Sequence, residues 1–450
     1  VEYAGHQLAR DHRGASQMKL VIFTPGVKSS AIGRMTRLVV RALLSQQHHV
    51  VLVRTESAHV LAKEPHDFGC TAIPWTDEEQ VAQEVASADC LVYQIGDNYE
   101  FHEGGVAWLH KAPGIVCLHD FFLGHLFWGW AQQRRDEAND ILTQWYGGKI
   151  ATNYFNVSDS ATFISSTRET APLTEWISSM ATGVITHSNW GCKRVMAACA
   201  GPVFVTPLAY DAPGAVDAEE ERKGDGKLKV LTIGHVNPNK RVESCIKAIA
   251  SNASLRKNIS YRLVGAILPD VESKLTEMAA KGGVELIISN EVDDATLSEA
   301  IREADVISCL RWPSLEAASA SAIEAMLYGK ATIVTDTGFY KELPDQYVLK
   351  VSPDNEIEDL KKIFLSLRSK PSSAAEIGKQ AQAWAKETFT AENYAHKLEQ
   401  AIPVVLRAKV VISAVDHFAT IIEKWSASPE LLGTPEILKP LSIFNTNTIV

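Results

Sequence analysis

At 450 residues the chain is too long for one compact core and suits two domains of about two hundred residues each. Hydrophobic residues make up 46% and charged residues 22%, near the averages for soluble globular proteins, which excludes collagen-like, disordered and disulfide-scaffold classes. A net charge of -10 gives no long-range attraction to nucleic-acid backbones or anionic membrane surfaces, so an anionic ligand has to meet a local cluster of cations.

Residues 1–17 are polar and carry His6, Arg10, Asp11, His12 and Arg13, which is not the apolar stretch of a secretory signal. Met18, directly before the first apolar run, reads as the natural start, with 1–17 a cloning scar or the end of an upstream segment. Short Val/Ile/Leu-rich runs then recur at 19–23, 50–54, 90–95, 114–118, 183–186 and 203–206, each followed by a longer amphipathic stretch. This is the pattern of βα units and a parallel sheet. A charged, glycine-bearing segment at 213–227 reads as a linker. A second series follows at 228–233, 261–264, 285–288, 304–309, 331–335 and 347–351.

The expected fold class is therefore α/β, with two Rossmann-like, doubly wound domains facing across a cleft. The expected boundaries are 18–212 for the first domain, 228–402 for the second, and 403–425 for a helix free to return to the first domain. Residues 426–450 form a tail without clear periodicity. Ligands of such sheets bind outside the carboxyl ends of the strands. No run reaches transmembrane length, because 403–422 is broken by Arg407, Lys409, Asp416 and His417. The seven scattered cysteines include no C-x-x-C pair, so reduced, packed thiols in a cytoplasmic setting are expected, with no structural metal site.

The most informative segment is 311–342, RWPSLEAASASAIEAMLYGKATIVTDTGFYKE. Glu316 and Glu324 have seven residues between them and flank a Ser/Ala turn into a helix. The amides of Ser319, Ala320 and Ser321 at that helix start would attract a diphosphate. Glu324 would offer two acceptor oxygens to a diol such as a ribose, and Glu316 would reach the group beyond the phosphates. The competing reading makes Glu324 a first-turn helix charge and Glu316 a solvated acid. At 232–249, a strand ends in Gly234 and His235 and leads to Lys240 and Arg241, local cations able to neutralise a departing diphosphate, or else a solvated pair.

In the first half, Gly26, Ser29 and Ser30 form a loop ahead of a helix that could approach an anion. It fits neither the G-x-G-x-x-G nor the Walker pattern, so dinucleotide and ATP-hydrolysis chemistry are unsupported. Arg34, Arg37 and Arg41 lie on one helical face that reads as solvated. The strand at 114–118 ends in His119 and Asp120, able to orient or deprotonate a hydroxyl, although a lone His is more often structural. Phe121, Phe122, Phe127, Trp128 and Trp130 follow, either covering sugars or an apolar tail or packing in the core. His187 is a further strand-end candidate in the first domain.

These residues resemble a retaining GT-B glycosyltransferase of family four, the glycosyl transferases group 1. The resemblance spans roughly residues 18–398 and is carried by Glu316, Glu324, EAMLYGKATIVTD, Glu342, Lys240 and CLHD at 117–120. It implies donor binding by the second domain and acceptor binding mostly by the first. By the resemblance Glu316 contacts the donor sugar, Glu324 the ribose and Lys240 the diphosphate. Two positions depart from the family: His235 stands where an arginine usually follows the strand-end glycine, and Ala317–Ala318 replace Gly-Phe.

The expectation is a cytoplasmic transferase moving a hexose from a nucleotide diphosphate sugar to a hydroxyl acceptor with retention, with no cofactor and, lacking a D-x-D triplet, no metal. Expected partners are that donor and acceptor; nucleic acid is not among them, and acids outnumber bases over 18–212, which gives peripheral membrane contact no support. The alternatives are a nucleotide-sugar epimerase on the same architecture and a non-catalytic sugar-nucleotide-binding or scaffold subunit.

Overall fold

The structure is a computed structural model that describes residues 17–215 and 226–424. The expectations for 1–16, for 216–225 within the linker and for 425–450 in the tail lie outside the described residues.

Seven strands build the first sheet: β1 (Lys19–Thr24), β2 (His49–Arg54), β3 (Thr71–Pro74), β4 (Cys90–Ile95), β5 (Ile115–Leu118), β6 (Gly183–Thr186) and β7 (Val203–Val205), in the order β3-β2-β1-β4-β5-β6-β7. Six build the second: β8 (Leu228–Ile233), β9 (Ile259–Val264), β10 (Glu285–Ser289), β11 (Val306–Cys309), β12 (Ala331–Thr335) and β13 (Leu349–Val351), in the order β10-β9-β8-β11-β12-β13. Every pairing is parallel, as in Leu20 opposite both Val50 and Cys90, and Val306 opposite both Val230 and Ala331. Parallel strands need crossover helices, and these cover both sheet faces, so central strands such as β4 and β12 are buried at every residue. Both sheets reverse their strand order beside the first strand, β1 against β4 and β8 against β11, which is where doubly wound sheets open a crevice at their carboxyl ends.

The sequence reading contains twelve of these strands and lacks β3. Thr71, Ala72 and Pro74 are exposed and only Ile73 is buried, so this edge strand has no continuous apolar run. Its proline sits at an edge, where a missing N–H costs no ladder bond.

The two units meet through the chain that follows β5 and β6. Residues 315–317 run antiparallel to 119–121, with Phe121 N and Phe122 N donating to Leu315 O at 2.8 and 3.1 Å and Ala317 N donating to His119 O at 2.9 Å. Beside them, Ser188 Oγ donates to Ala317 O at 2.8 Å, and Asn189 N and Nδ2 donate to Glu342 Oε2 at 2.9 and 3.1 Å.

The last described helix runs unbroken over Ala391–Lys424, with Pro403 inside it, so the stretch expected to begin at 403 is the continuation of a helix begun twelve residues earlier. Leu398, Ile402 and Val405 share a core with Leu20, Val39 and Leu43 of the first unit, and His48 pairs with Glu399 at 2.5 Å. A methyl group added at Gly183 on β6 would meet Val405, so the glycine admits the helix close to the sheet.

Candidate active site

The strand ends of the second sheet bring together the acids and cations read from distant parts of the sequence. β11 ends at Cys309, and the chain turns through Arg311 and Ser314 to Glu316, then enters the helix Ala320–Leu327. Ser319 Oγ caps that helix by accepting from Ala322 N at 3.3 Å. Among the described residues no protein acceptor is recorded for the amides of Ala320 and Ser321, so they remain able to bind an anion.

Glu316 is held by two donors on one oxygen: Tyr340 OH at 2.6 Å and Arg311 Nε at 3.0 Å, both converging on Oε1. Arg311 also donates to Leu310 O at 2.8 Å and reaches Ser321 Oγ at 3.5 Å. Its guanidinium therefore links the first motif acid to the helix start. Lys240, in the turn after β8, is buried and its ammonium donates to Ile233 O. Burial pushes that ammonium down to about 7, with nearby Arg311 adding to the effect while Cys309 and Glu316 oppose it. Gly234, between strand and lysine, has φ +80°, and a Cβ there would lie 2.9 Å from Lys240 Nζ. This position therefore requires glycine. His235 is exposed.

Glu324 sits one turn into the helix and is 6% exposed. Burial pushes its carboxyl up to about 7, with Asp211 and Asp294 adding to the rise and Arg34 opposing it. Arg34 approaches from the first unit, 3.9 Å from Glu324 Oε1.

Arg241, expected beside Lys240 as a cation for the diphosphate, turns to an acid of its own unit. Its guanidinium forms an ion pair with Glu356, Nε at 3.0 Å and a terminal nitrogen at 2.9 Å from Oε2, and Ser244 Oγ bonds to the same carboxylate. The pair ties the helix Val242–Ala250 to the helix Glu356–Ser369. Arg311, which the sequence reading did not single out, is the second cation beside Lys240.

The glycine loop of the first unit is corrected as well. Gly26 N and Val27 N both donate to Glu56 Oε1 at 2.7 Å, so the chain's own buried carboxylate takes the amides expected to face a phosphate. Ser30 Oγ accepts from Gly33 N at 3.0 Å and caps the helix Ala31–Ser45, and Ser29 is exposed. Arg34, expected on a solvated face, is instead held by Asp211 and Tyr210.

His119 does not bond Asp120; its Nε2 pairs with Gln94 Oε1 at 2.7 Å. Burial, with His187 and His102 nearby, holds its imidazole well below the usual range, which favours the neutral ring. His187 lies behind it, 3% exposed, with Nδ1 donating to Thr206 O at 3.0 Å and burial lowering it to about 4. Its ring packs 4.8 Å from that of His119. Asp120 accepts from Asp97 N at 2.8 Å and bridges to Glu316 through the backbone. Burial pushes its carboxyl up to about 8, with Asp97 and then Glu316 adding like charge. Asp97 in turn accepts from His125 N, His125 Nδ1 and Leu126 N at 2.7, 2.6 and 2.9 Å.

Of the aromatic run, Phe122, Phe127 and Trp130 are core, while Phe121 is half-buried and packs 4.6 Å from Trp190 beside the motif loop. Arg168 lies 5.1 Å over the Trp312 ring on the same side. Among the described residues no group of three or more His, Cys, Asp or Glu side chains is placed to hold a metal ion.

Residues 215–384 match the family model described as Glycosyl transferases group 1, and that span holds Glu316, Glu324, Lys240 and Arg311. The chain is similar to GT-B glycosyltransferases of this group. Among solved structures, sucrose-phosphate synthase from Thermosynechococcus elongatus aligns over 87% of this chain and 100% of its own at 15% identity, with a TM-score of 0.61. HepE from Anabaena, in complex with UDP and glucose, aligns over 86% of this chain and 100% of its own at 16% identity, with a TM-score of 0.56. WaaG, a glycosyltransferase involved in lipopolysaccharide biosynthesis, aligns over 86% and 99% at 15% identity, with a TM-score of 0.52. At these identities the likeness establishes the two-domain GT-B fold. No curated protein sequence matches the chain significantly. Among the described residues no helix is long and apolar enough to cross a membrane.

Proposed function

We propose that the protein transfers a hexose from a nucleotide diphosphate sugar to a hydroxyl acceptor with retention of anomeric configuration. The observation that carries this reading is the convergence of Glu316, Arg311, Lys240 and the Ala320–Leu327 helix start at the carboxyl ends of β8 and β11, facing the first unit. The family match supports glycosyl transfer, and the UDP and glucose bound by HepE suggest uridine nucleotides as first probes.

In this reading the ribose hydroxyls donate to Glu324 and the diphosphate lies against Lys240, Arg311 and the free helix amides. Glu316, fixed by Tyr340 and Arg311 on one oxygen, offers the other to sugar hydroxyls. These donors meet the charge that develops as the bond from the anomeric carbon to phosphate oxygen breaks. The acceptor oxygen attacks from the face the diphosphate leaves, and the leaving oxygen takes the acceptor proton. Asp120, just past the carboxyl end of β5 and bridged to Glu316 through the backbone, hydrogen-bonds the acceptor in this reading. Closure of the units excludes water, which limits hydrolysis of the donor.

The test is incubation with nucleotide sugars and sugar alcohols or glycans, with the product anomer read by NMR and a chelator added in parallel. Transfer with retained configuration, unaffected by the chelator, supports the reading. Isomerised donor without acceptor, or binding without product, contradicts it.

A further inference from the structure

The environment of Glu324 poses a problem that its own unit does not solve. The carboxylate is almost fully buried, yet among the described residues no amide or side chain donates a hydrogen bond to it. A buried carboxylate without donors is costly unless a ligand supplies them. The one cation near it is Arg34, whose terminal nitrogen stands 3.9 Å away, too far for a hydrogen bond and close enough for strong attraction.

Arg34 cannot readily move closer. Its second terminal nitrogen donates to Asp211 Oδ1 at 2.8 Å, the first donates to Tyr210 OH at 3.2 Å, and the guanidinium carbon lies 4.7 Å over the Tyr210 ring. Such a forked, stacked arrangement fixes both position and plane. Three segments meet here: the helix Ala31–Ser45 of the first unit, the 210–211 stretch after β7, and the helix Ala320–Leu327 of the second unit.

We propose that Arg34, from the first unit, is a positioning residue of the donor site that holds the Glu324 carboxylate aimed and vacant for the two ribose hydroxyls. This rests on the reading of Glu324 as the ribose acceptor. Its consequence is that nucleotide affinity depends on the two units being closed, because the residue that prepares Glu324 belongs to the opposite unit. The groups facing Glu324 are Arg34, Tyr210, Asp211, Asp294 at the start of the helix Asp294–Glu303, and Cys309 at the end of β11. Arg34 alone among these favours the charged carboxylate, which burial has already brought to about 7. Removing it raises the carboxyl further, so at neutral pH the protonated form gains, in which one acceptor oxygen has become a donor.

The experiment is calorimetric titration of the full chain with UDP and with 2′-deoxy-UDP across neutral and mildly alkaline pH. It uses wild type, Arg34→Met, Arg34→Lys and Glu324→Gln, each checked by thermal unfolding. Wild type is expected to prefer UDP over the deoxy analogue by about tenfold above neutral pH; loss of charge on Lys240 weakens both nucleotides alike, so the ratio of the two affinities is the readout. Arg34→Met is expected to bind UDP about tenfold more weakly at neutral pH and to recover its preference for UDP over the deoxy analogue as rising pH ionises Glu324. Glu324→Gln loses the preference at every pH. Arg34→Lys shows a weaker preference that follows the wild-type pH dependence, and it carries the test if the Met variant does not fold. An Arg34→Met or Arg34→Lys protein with wild-type affinity, preference and profile overturns the inference while Glu324→Gln still loses its preference. Wild type that does not distinguish the two nucleotides, with Glu324→Gln unchanged, overturns the ribose reading and the inference together.

Discussion

Arg311 Nε lies 3.0 Å from Glu316 Oε1, and this pair joins the end of β11 to the first acid of the motif. The contact leaves Glu316 Oε2 for a ligand and keeps the guanidinium beside Lys240 and Ser321. Two cations around one carboxylate leave a net positive charge, which suits an anionic diphosphate in a chain whose overall charge is -10.

Glu316→Gln is expected to lower turnover at least about a hundredfold while thermal unfolding stays close to wild type, because a neutral amide attracts neither Arg311 nor developing positive charge on the sugar. Steady-state kinetics against nucleotide sugar check this. Activity near wild type removes Glu316 from the mechanism.

Arg311→Met is expected to lower kcat/KM by about a hundredfold, and the double variant with Glu316→Gln to be less impaired than the two losses multiplied. The two side chains touch, so each single change already spoils the other's geometry. Independent, multiplicative losses contradict a coupled pair.

Lys240 carries its charge below about 7 in the free protein, and above that pH the neutral amine attracts phosphate weakly. UDP affinity is therefore expected to fall as pH rises through that value in wild type, and the fall is absent in Lys240→Met, which binds weakly throughout. Titrations on either side of neutrality read the difference. An identical slope in both proteins assigns the titration to another group.

Gly234→Ala places a side chain in a left-handed backbone position and a Cβ 2.9 Å from Lys240 Nζ. The backbone strain alone costs roughly 1–2 kcal/mol. Chemical denaturation is expected to show that loss together with weaker UDP binding, since the lysine has to shift. Unchanged stability contradicts the need for glycine here.

The double-wound architecture is legible in the sequence because central parallel strands are buried on both faces and announce themselves as apolar runs. β3 escapes notice because only Ile73 is covered. Glu316, Glu324 and Ser319 are legible because their relationship is local, a turn and the helix it starts. Arg34 and Arg311 are not: the first acquires meaning only through Asp211 and Glu324, which are distant in sequence, and the second reads as one more strand-end cation. The same distance effect misleads at Gly26, whose loop has the local form of an anion site but is filled by Glu56. His119 pairs with Gln94, a partner that the local sequence does not reveal.

The most direct test of the account is a crystal structure of the full chain with UDP-glucose. The account places the ribose hydroxyls on Glu324, the diphosphate between Lys240, Arg311 and the Ala320 and Ser321 amides, and the sugar against Glu316 and Asp120. A nucleotide sugar bound with its ribose away from Glu324 and its phosphates away from both cations contradicts it.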